Sequence, residues 1–590
     1  MEQTYTSVSQ ALDAMGFGRL QWLLLVYCGL AWLADACEVM LLSFLGPAMR
    51  CSWGVGPGAE SLLTSIVFCG MLAGVYSLGV AADHLGRRRG FLVSALLLGG
   101  AGMASAAAPS FVWLLLLRAV VGFALGGTPI AVTLFAEFCT TAGRGRWLLL
   151  MQSFWTLGTV LEALLAWAVL PTLGWRWLLA FSALPLLALL GLFPWVPESA
   201  HWLVAKGRYA EAEAVLQRVA TINGCSRPLR LHLAPGRTSR HPAEDGLLLP
   251  SSASAAGGDS GGPSHGPLHA EASSSSKGGG GAAGLRQRAR RLRHVMALSF
   301  GAIFGPRLRR TTLLLFGVWF TNALTYYGLV LLTTALQTAA KKELCTPSGA
   351  PNLDSGDYVA ILVTTLAEAP GLLAAALLID GPGRRRSLQV GLAVCAAALA
   401  SLVADPPRLV QLALLFTARA CIEGAFSVLY VYTPELYPTN VRSFGLALCN
   451  GFSRFGGFSA PFATVYLVES GHKHAAELLL STLCAAAAGA ALMLPYETRG
   501  QDLQSVQLQP EGAAAAHEQG RAGSGVPAGA QRSTQQGEGG SPRGGGRLRS
   551  VHVQPYPADG EAEVELEPAQ DHCDLPDGSG GEQLPLLPPT

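Results

Sequence analysis

The chain has 590 residues, and its 41 basic and 39 acidic residues leave only 14% of it charged, with a formal net charge of +2. Soluble globular proteins carry about 25% charged residues, so this composition, half of it hydrophobic, excludes a set of soluble domains and a wholly disordered chain. The small net charge gives no basic field for nucleic acid, and 12 cysteines are too sparse for a disulfide-stapled secreted scaffold. We therefore expect an integral membrane protein in a lipid bilayer.

Each half of the chain contains six apolar segments of the length that crosses a bilayer. A hydrocarbon core about 30 Å thick takes roughly 20 helical residues. The first six segments lie near residues 20–46, 61–82, 90–108, 111–138, 147–170 and 176–195, and the next six near 311–336, 357–380, 387–404, 408–432, 441–468 and 475–495. The first segment lacks a basic leader and is too long for a cleavable signal peptide, so we expect it to remain as a span.

These segments divide the chain into five regions. Residues 1–19 form a lead-in, 20–200 a first six-helix bundle, 201–310 a loop, 311–496 a second six-helix bundle and 497–590 a tail. The middle of the loop, residues 242–284, is rich in Gly, Ser and Ala, and the tail is rich in Gly, Gln, Pro and acidic residues. Neither composition can bury a core, so both are predicted to be disordered.

Basic residues in the short loops predict which side of the membrane the termini face. The loops on the side of the termini carry nine arginines: Arg87, Arg88, Arg89, Arg144, Arg146, Arg384, Arg385, Arg386 and Arg442. The loops on the other side carry six basic residues: Arg50, Arg176, Lys341, Lys342, Arg408 and Lys473. Since Lys and Arg accumulate in cytoplasmic loops, both termini are predicted to be cytoplasmic.

Four charged features of the first half recur in the same order in the second half. Asp83-His-Leu-Gly-Arg87-Arg88-Arg89 matches Asp380-Gly-Pro-Gly-Arg384-Arg385-Arg386, 297 residues later. Three single residues recur as well: Arg118 as Arg419, Glu137 as Glu435, and Arg146 as Arg442. A parallel repeat of six spans, related by an axis along the membrane normal, is one architecture of transporters that work by alternating access.

These motifs resemble the major facilitator superfamily, whose signature after span 2 is a Gly followed by Asp-Arg-x-Gly-Arg-Arg. Here Gly79 precedes Asp83-His-Leu-Gly-Arg-Arg, and the segments 197–203, 434–439 and 495–500 resemble further marks of that family. His84, Ala200-His201 and Tyr496 depart from its usual residues. The lead-in 11–19 and the segment 34–44 resemble the branch that contains synaptic vesicle proteins, plant organic cation/carnitine transporters and bacterial nicotinate permeases.

The resemblance implies an all-α membrane fold in which twelve transmembrane helices form two pseudo-symmetric six-helix bundles. It also implies a substrate site at mid-depth between the bundles and a cytoplasmic gating network that latches the two halves together. The residues carried over into that network are Asp83, Arg87, Arg88, Glu137, Arg146, Asp380, Arg384, Arg385, Glu435 and Arg442.

Ionisable residues inside the spans are the first candidates for a substrate or proton path, because buried charges are costly and usually functional or paired. Asp35 and Glu38 lie at i and i+3 in span 1, so both carboxylates project from one helix face. They can bind a proton or attract a cation. The alternative is that they bond neighbouring helices, or that one of them pairs with Arg454.

Three further carboxylates and one arginine are predicted near mid-depth. The carboxylates are Glu162, Glu368 and Glu423, the last of which lies four residues after Arg419, within reach of a same-helix ion pair. Arg454 lies one turn after Asn450 and can bind a carboxylate with its planar fork. It can equally neutralise Asp35 or Glu38, or bridge two helices.

Span 7 contains Trp319, Asn322, Tyr326 and Tyr327 within about two turns. Aromatic faces can hold a quaternary ammonium or a flat ring, although such a stripe is also typical of helix packing. The paired glutamines that sugar porters use to hold hydroxyl groups are absent from this span, which favours an organic ion over a hexose. In span 4, Gly122 and Gly126 follow Arg118 at four-residue intervals and predict close helix packing.

Outside the spans, Cys51 and Cys345 fall in the predicted outer loops and could form a disulfide, a pairing that sequence leaves open. The tail contains Glu582 followed by Leu586-Leu587, which resembles a dileucine sorting signal and suggests a sorting adaptor as a partner. The chain carries no nucleotide-binding P-loop and no zinc-ligand cluster, so we expect no cofactor or metal, and neither an ATP-driven pump nor a hydrolase.

Together these features predict a secondary active transporter of a small organic ion, such as an organic cation, carnitine or nicotinate, coupled to protons and working by alternating access. We expect it in the plasma membrane or in an endosomal or vacuolar membrane. Two alternatives remain. One is a non-transporting receptor or scaffold with the same fold, and the other is a passive uniporter, including one for sugar-type substrates.

Overall fold

The computed structural model describes residues 4–5, 7–141, 144–225, 230–231, 297–339, 341, 345–346, 351–379, 381–438 and 441–499. Asp380, residues 242–284 and the tail with Glu582, Leu586 and Leu587 lie outside the described residues. What the sequence predicts for them therefore stays a prediction.

The first half contains six helical segments, called spans 1 to 6. They are Arg19–Trp53, Pro57–Leu85, Arg87–Ala106, Phe111–Leu125 continued by Pro129–Ala136, Arg144–Val169, and Trp175–Ser182 continued by Leu184–Leu192. A 3-10 turn, Phe193–Trp195, follows span 6. Spans 4 and 6 are each interrupted beside a proline, Pro129 and Pro185, because proline lacks a backbone donor and crowds the preceding turn.

The second half repeats this pattern with spans 7 to 12. They are Arg309–Ala339, Ser355–Leu366 continued by Glu368–Leu378, Arg384–Leu402, Arg408–Leu436, Arg442–Pro461, and Lys473–Leu492. Span 11 continues beyond Pro461 as a π-helical turn, Phe462–Tyr466, and a final short piece, Leu467–Glu469. We call the face at which spans 1 and 7 begin the basic face, and the other the opposite face.

Short elements lie beside the first half on the basic face. They are the helices Val8–Met15, Ala200–Ala205 and Tyr209–Asn223, and a two-stranded parallel sheet that pairs Thr4–Tyr5 with Arg230–Leu231. Asn223 connects them to span 1, because its Oδ1 accepts from the backbone N–H of Leu20 at 3.0 Å and its Nδ2 donates to Gln21 Oε1 at 3.0 Å. Residues 297–303 form a further helical segment before span 7.

The predicted twelve-span architecture is confirmed. Among the described residues, ten helical segments are long and apolar enough by themselves to cross a membrane. Spans 9 and 11 complete the twelve, with span 9 packed against spans 10 and 12 and span 11 against spans 2 and 7. Their mean hydropathy is lower because span 9 begins with three arginines, and span 11 carries Asn450, Ser453 and Arg454.

The two halves pack against each other through spans 1 and 7, 2 and 11, and 5 and 8. One hydrophobic cluster crosses this boundary and includes Phe44 and Phe68 from the first half with Tyr327 and Tyr358 from the second. The rings of Phe68 and Tyr327 lie 4.5 Å apart. The bundles therefore share a core at the level where a substrate site is expected.

Gly122 allows span 4 to approach span 2 closely. A Cβ atom at this position would lie 2.1 Å from the backbone oxygen of Val67, a distance that real Cβ atoms do not adopt. The helix-packing prediction for this glycine stripe is therefore confirmed at Gly122, since only the absence of a side chain permits this contact.

We expect Gly122→Val to destabilise the first bundle, because the added side chain forces two backbones apart. Overpacking of this kind costs roughly 1–3 kcal/mol, so the melting temperature in detergent should fall by several degrees. Gly100→Val is the matched control, because a Cβ atom at Gly100 in span 3 meets no atom within 4 Å. Equal melting temperatures for the two variants would contradict the packing argument.

Candidate substrate cavity and ion-pair networks

A cavity lies between the two halves. The first half contributes side chains from spans 1 and 5, and the second half contributes side chains from spans 7, 10 and 11. The lining residues are Trp32, Asp35, Gln152, Trp155, Tyr326, Tyr327, Glu423, Phe426, Ser427, Tyr430, Asn450 and Arg454. Gln152 and Asn450 each lie eight residues into their helix from the basic face, or ~12 Å at 1.5 Å per residue.

Asp35 and Arg454 give this cavity side chains of both charge signs. Among the described residues, the carboxylate oxygen Oδ1 of Asp35 has no hydrogen-bond partner, and neither does Nε of Arg454. Nη1 of Arg454 donates to the Tyr327 hydroxyl at 3.3 Å. Glu423 adds a second carboxylate to the lining. Buried groups without partners are expensive, so these atoms are placed to receive a ligand, a proton or water.

Six aromatic side chains form most of the remaining wall. Trp32 and Trp155 have ring centroids 5.4 Å apart, and Tyr326 and Tyr327 lie 5.2 Å apart. On span 10, Phe426 and Tyr430 stack at 5.9 Å. Aromatic faces attract cations and flat rings, so the wall suits an ammonium group or a planar heterocycle.

Glu38 and Asp35 have different surroundings, because Glu38 forms an ion pair with Arg118 whereas Asp35 lines the cavity. Oε2 of Glu38 accepts from Arg118 Nη1 at 2.8 Å, and the side chains of these two partners are at most 3% exposed. Glu162 lies in the same half, where both of its oxygens lie 2.9 Å from the Ser182 hydroxyl and can accept its one proton. Neither Glu38 nor Glu162 is among the residues that line the cavity. Of the two carboxylates of span 1, Glu38 forms an ion pair and Asp35 faces the cavity.

Glu368 joins spans of both halves. Its Oε1 accepts from Arg419 Nη2 at 2.9 Å and from the Tyr326 hydroxyl at 2.9 Å. Its Oε2 accepts from the Thr159 hydroxyl of span 5 at 3.0 Å, and Trp155 Nε1 donates to the Tyr326 hydroxyl at 2.6 Å. This carboxylate therefore links the cavity wall to the buried arginine of span 10.

The same-helix ion pair predicted between Arg419 and Glu423 is wrong. Arg419 directs its guanidinium to Glu368 of span 8, which leaves Glu423 facing the cavity. Helical spacing places two residues on one side of a helix, but it does not reveal a nearer carboxylate on the next helix.

Two of the four residues singled out in span 7 do not line the cavity. Trp319 is buried, donates from Nε1 to the Thr433 hydroxyl at 2.9 Å and packs against Phe426 and Tyr430. Both amide atoms of Asn322 are buried and have no hydrogen-bond partner in the part of the chain that the structure describes. Trp319 therefore packs between helices, the alternative given for this aromatic stripe, whereas Tyr326 and Tyr327 line the cavity.

The sequence analysis missed half of the cavity lining: Trp32, Gln152, Trp155, Phe426, Ser427 and Tyr430. A helical signal exists for four of them, those of spans 1 and 10. Trp32 precedes Asp35 by three residues, and the span 10 residues follow Glu423 at i+3, i+4 and i+7, which puts each group on one helix face. On spans 1 and 10 the charged residue therefore identifies the helix face that lines the cavity, and uncharged residues on the same face line it as well.

On the basic face, the first half forms a compact charge network. Arg87 Nη1 lies 2.7 Å from Asp83 Oδ1, and its Nε lies 3.7 Å from Glu137 Oε1. Glu198 Oε1 accepts from the backbone N–H of Arg88 at 3.0 Å, so a carboxylate binds the amino end of span 3, where the helix dipole favours negative charge. Gly86 precedes it at φ +106° and leaves room for this carboxylate.

The second half repeats the arrangement. Arg384 Nε lies 3.3 Å from Glu435 Oε2. Glu497 accepts from the backbone N–H of Arg384 at 2.7 Å and from that of Arg385 at 3.0 Å, at the start of span 9. We call Glu198 and Glu497 the clasp glutamates. Their motifs are visible in the sequence, but the sequence analysis did not assign them to the network.

The ion pairs described for this network lie within each half. Arg146 is exposed, and Arg442 donates from Nε to the Tyr437 carbonyl at 3.4 Å. Neither is the partner of the adjacent glutamate, because Glu137 and Glu435 lie beside Arg87 and Arg384. In this conformation the described network therefore stabilises each half and does not latch the two halves together.

The halves are joined on the opposite face instead. Arg50 of span 1 lies between Glu60 of span 2, at 2.7 Å from Nε to Oε2, and Glu469 of span 11, at 2.7 Å from Nη2 to Oε1. The Ser65 hydroxyl donates to the Phe458 carbonyl at 2.7 Å. A disulfide also connects Cys51 with Cys345, with Cα atoms 5.5 Å apart. The pairing that the sequence left open is therefore present.

A separate ion cluster on this face lies at the start of span 8. Lys341 Nζ lies 2.7 Å from Asp354 Oδ2, and this hydrogen bond lowers the pKa of Asp354 to about 2. The stabilisation is present above the ordinary aspartate pKa of about 3.9 and is lost as the pH falls toward 2. A change in transport between pH 5 and 8 would therefore not arise from this pair.

Known proteins resemble this chain along most of its length. Family models described as "Sugar (and other) transporter" and "Major Facilitator Superfamily" match residues 54–230 and 315–525. The chain is 38% identical to organic cation/carnitine transporter 7 of Arabidopsis thaliana, over 85% of this chain and 96% of that protein. The chain belongs to the major facilitator superfamily.

Further relatives place this major facilitator in the branch that its motifs resemble. It is 39% identical to the synaptic vesicle 2-related protein of Xenopus laevis, over 84% of this chain and 82% of that one. It is 28% identical to the niacin transporter NiaP of Acinetobacter baylyi, over 84% and 99%. An inward-open structure of the xylose transporter XylE from E. coli shares the fold, with a TM-score of 0.57, 16% identity and coverage of 82% and 99%.

This major facilitator is therefore a multi-pass integral membrane transporter of the sugar-transporter type, a family of transporters and not of enzymes. Small molecules are the substrates of the superfamily. The cavity between its two halves is the candidate site for such a substrate.

We expect Arg50→Gln to loosen the opposite face, because it removes the cation held between Glu60 and Glu469. Hydrogen–deuterium exchange should become several-fold faster in the segments around Ser65 and Phe458. Arg176→Gln is the matched control, since Arg176 lies on the same face and its hydrogen bonds to described residues go to carbonyls of its own half, Ala106 and Ala108. Unchanged exchange in Arg50→Gln would show that this cluster does not hold the halves together.

Proposed function

We propose that the chain is a secondary active carrier of a small organic ion that bears a carboxylate together with a quaternary ammonium or a flat ring, as carnitine and nicotinate do. The observation that carries this proposal is the pairing of Arg454 with an aromatic wall in one cavity. A guanidinium can bind a carboxylate through two parallel hydrogen bonds. The unpartnered Nε of Arg454 leaves one arm of that fork free.

The other end of the substrate would meet the aromatic side chains and Asp35. Trp32, Trp155 and Tyr327 can surround an ammonium by cation–π contact or stack on a pyridine ring. The names of two relatives, an organic cation/carnitine transporter and a niacin transporter, agree with this substrate class. A sugar suits the cavity less, since only Gln152, Ser427 and Asn450 offer uncharged amide or aliphatic hydroxyl groups among the lining residues.

Transport would follow from rocking of the two halves about this site. With the termini cytoplasmic, as the loop charges predict, the contacts at Arg50 and Ser65 close the outer side and the cavity lies toward the cytoplasm. Opening to the outside requires these contacts to break and the basic faces of the halves to approach. In that state the network residues Arg87, Glu137, Arg384 and Glu435 would meet across the halves and act as the predicted latch.

Protons would enter this cycle through Asp35. In the empty cavity Asp35 faces the positive charge of Arg454. When an anion such as nicotinate places its carboxylate on Arg454, a proton on Asp35 offsets the added negative charge in a site where net charge is costly. Binding of the anion and of the proton would therefore favour each other, which is the basis of symport. A zwitterion such as carnitine adds no net charge, and its ammonium would instead meet an ionised Asp35. The Glu38–Arg118 and Glu368–Arg419 pairs would hold the surrounding helices.

Uptake into proteoliposomes tests the substrate class. We expect labelled carnitine or nicotinate to accumulate, and choline, which lacks a carboxylate, to be taken up poorly. Arg454→Gln should lower uptake of the carboxylate substrate by roughly 10- to 100-fold, because a charge-assisted hydrogen bond contributes about 1.5–3 kcal/mol. Arg218→Gln, at an exposed arginine of the helix Tyr209–Asn223, is the control. Preferred uptake of choline would refute the role of Arg454.

An imposed proton gradient tests the coupling. We expect an inward gradient to drive accumulation above equilibrium in the native chain, and Asp35→Asn to retain downhill exchange while losing this accumulation. Accumulation that ignores the gradient would indicate a uniporter. If none of the three compounds moves, although melting curves show folded protein, the receptor or scaffold alternative gains support.

A further inference from the structure

A second cavity, unrelated to the substrate site, lies at the boundary between span 2 and spans 7 and 11. It is an open groove, and the described residues that line it carry no charged side chain. Its wall is largely aromatic: Tyr76, Phe300, Phe304, Phe316, Phe452 and Phe455. None of these residues lines the substrate cavity, so the groove needs an explanation of its own.

The groove opens sideways toward the membrane. Tyr76 is 53% exposed and Phe455 48% exposed, as expected for side chains that face acyl chains. Phe316 lies seven residues after Arg309, and Phe452 ten residues after Arg442. At 1.5 Å per residue these positions are ~10 and ~15 Å from the basic face, which is the depth of the acyl chains in one leaflet.

Three arginines stand at the shallow end of the groove. Arg307, Arg309 and Arg310 lie in the turn between the helical segment 297–303 and span 7 and in the first residues of that span, and all three are exposed. Among the described residues, no carboxylate forms an ion pair with any of them. Phe304 of the groove precedes Arg307 by three residues, so unpaired cations and the apolar wall adjoin.

We propose that this groove binds one anionic phospholipid from the leaflet on the basic face. An acyl chain would lie along Tyr76, Phe316 and Phe452, and the phosphate would bind the arginine cluster Arg307, Arg309 and Arg310. An apolar groove with a cationic rim at headgroup depth is complementary to this one amphiphile in both polarity and charge. The acyl chain of a neutral lipid would also fit the groove, but such a lipid would give the three arginines no net negative charge to bind.

This lipid would also favour one conformation of the transporter. Tyr76 belongs to the first half, whereas Phe316 and Phe452 belong to the second, so the bound chain touches both halves at once. Spans 2 and 11 must come together on the basic face when the opposite face opens, and this movement closes the groove. Since a ligand shifts a protein toward the state that binds it, the lipid stabilises the state in which the opposite face is joined.

Native mass spectrometry of the full chain tests the site, with dioleoylphosphatidylglycerol and dioleoylphosphatidylcholine as probes. We expect preferential retention of the phosphatidylglycerol, and its loss in the triple variant Arg307→Gln/Arg309→Gln/Arg310→Gln by roughly fivefold for each arginine. The matched control is Arg89→Gln/Arg386→Gln, at exposed arginines that begin spans 3 and 9, which do not line the groove. An equal loss of retention for each arginine replaced in the control would show that the effect comes from general surface charge, and would contradict the site.

Filling the groove tests the acyl-chain part. Ala73→Phe places a ring in the lining and should lower retention of the anionic lipid, whereas Ala397→Phe, at an exposed position of span 9, should not. Glycerol phosphate, which offers the headgroup without chains, should not compete. If it competes fully, the arginines bind free phosphate and the lipid proposal fails. In the native chain, the lipid should also slow deuterium exchange around Ser65 on the opposite face, and unchanged exchange would contradict the conformational role.

Discussion

A charge inside a bilayer must be compensated by another protein group, by water or by a ligand, and this requirement organises the membrane part of the chain. Arg118 and Arg419 are the largest buried cations, and each is neutralised by a glutamate of its own half, Glu38 or Glu368. These two pairs leave Asp35, Glu423 and Arg454 as the charges that face the central cavity. Because the two buried arginines have their own glutamates, Asp35, Glu423 and Arg454 are the charges left available in the cavity that we propose as the substrate site.

The contacts between the two halves differ with depth along the membrane normal. On the opposite face, the arginine between two glutamates and the disulfide hold spans of different halves together. At mid-depth, Glu368 reaches Thr159 across the boundary while its other oxygen holds Tyr326 of the cavity wall. On the basic face, the described ion pairs close within each half. The proposed rocking would break the Arg50 ion pairs on the opposite face, whereas the disulfide beside them would stay intact.

The sequence predicts the fold well, because hydrophobic length, loop charge and the internal repeat each constrain it independently. It predicts the cavity less completely. Asp35, Tyr326, Tyr327 and Arg454 are recognisable as unusual residues for a membrane span, whereas Trp32 and Phe426 are ordinary ones until the helices are assembled. Partner choice is the least predictable part: the repeat relates Arg118 to Arg419, but their carboxylates come from spans 1 and 8, which the repeat does not relate. Such pairing depends on distances between helices that spacing along one helix does not contain.

The clasp glutamates make each half complete in itself. Glu198 follows the last span of the first half and Glu497 the last span of the second, and each returns to the start of the third helix in its own bundle. Neither contact crosses to the other half, so the proposed rocking would leave both unchanged. In each bundle, this contact links the start of the third helix to the residues that follow the last one. If the long central loop were cut, each of the two fragments would therefore keep its own contact. This is the organisation expected of a protein that arose by doubling a unit already able to fold.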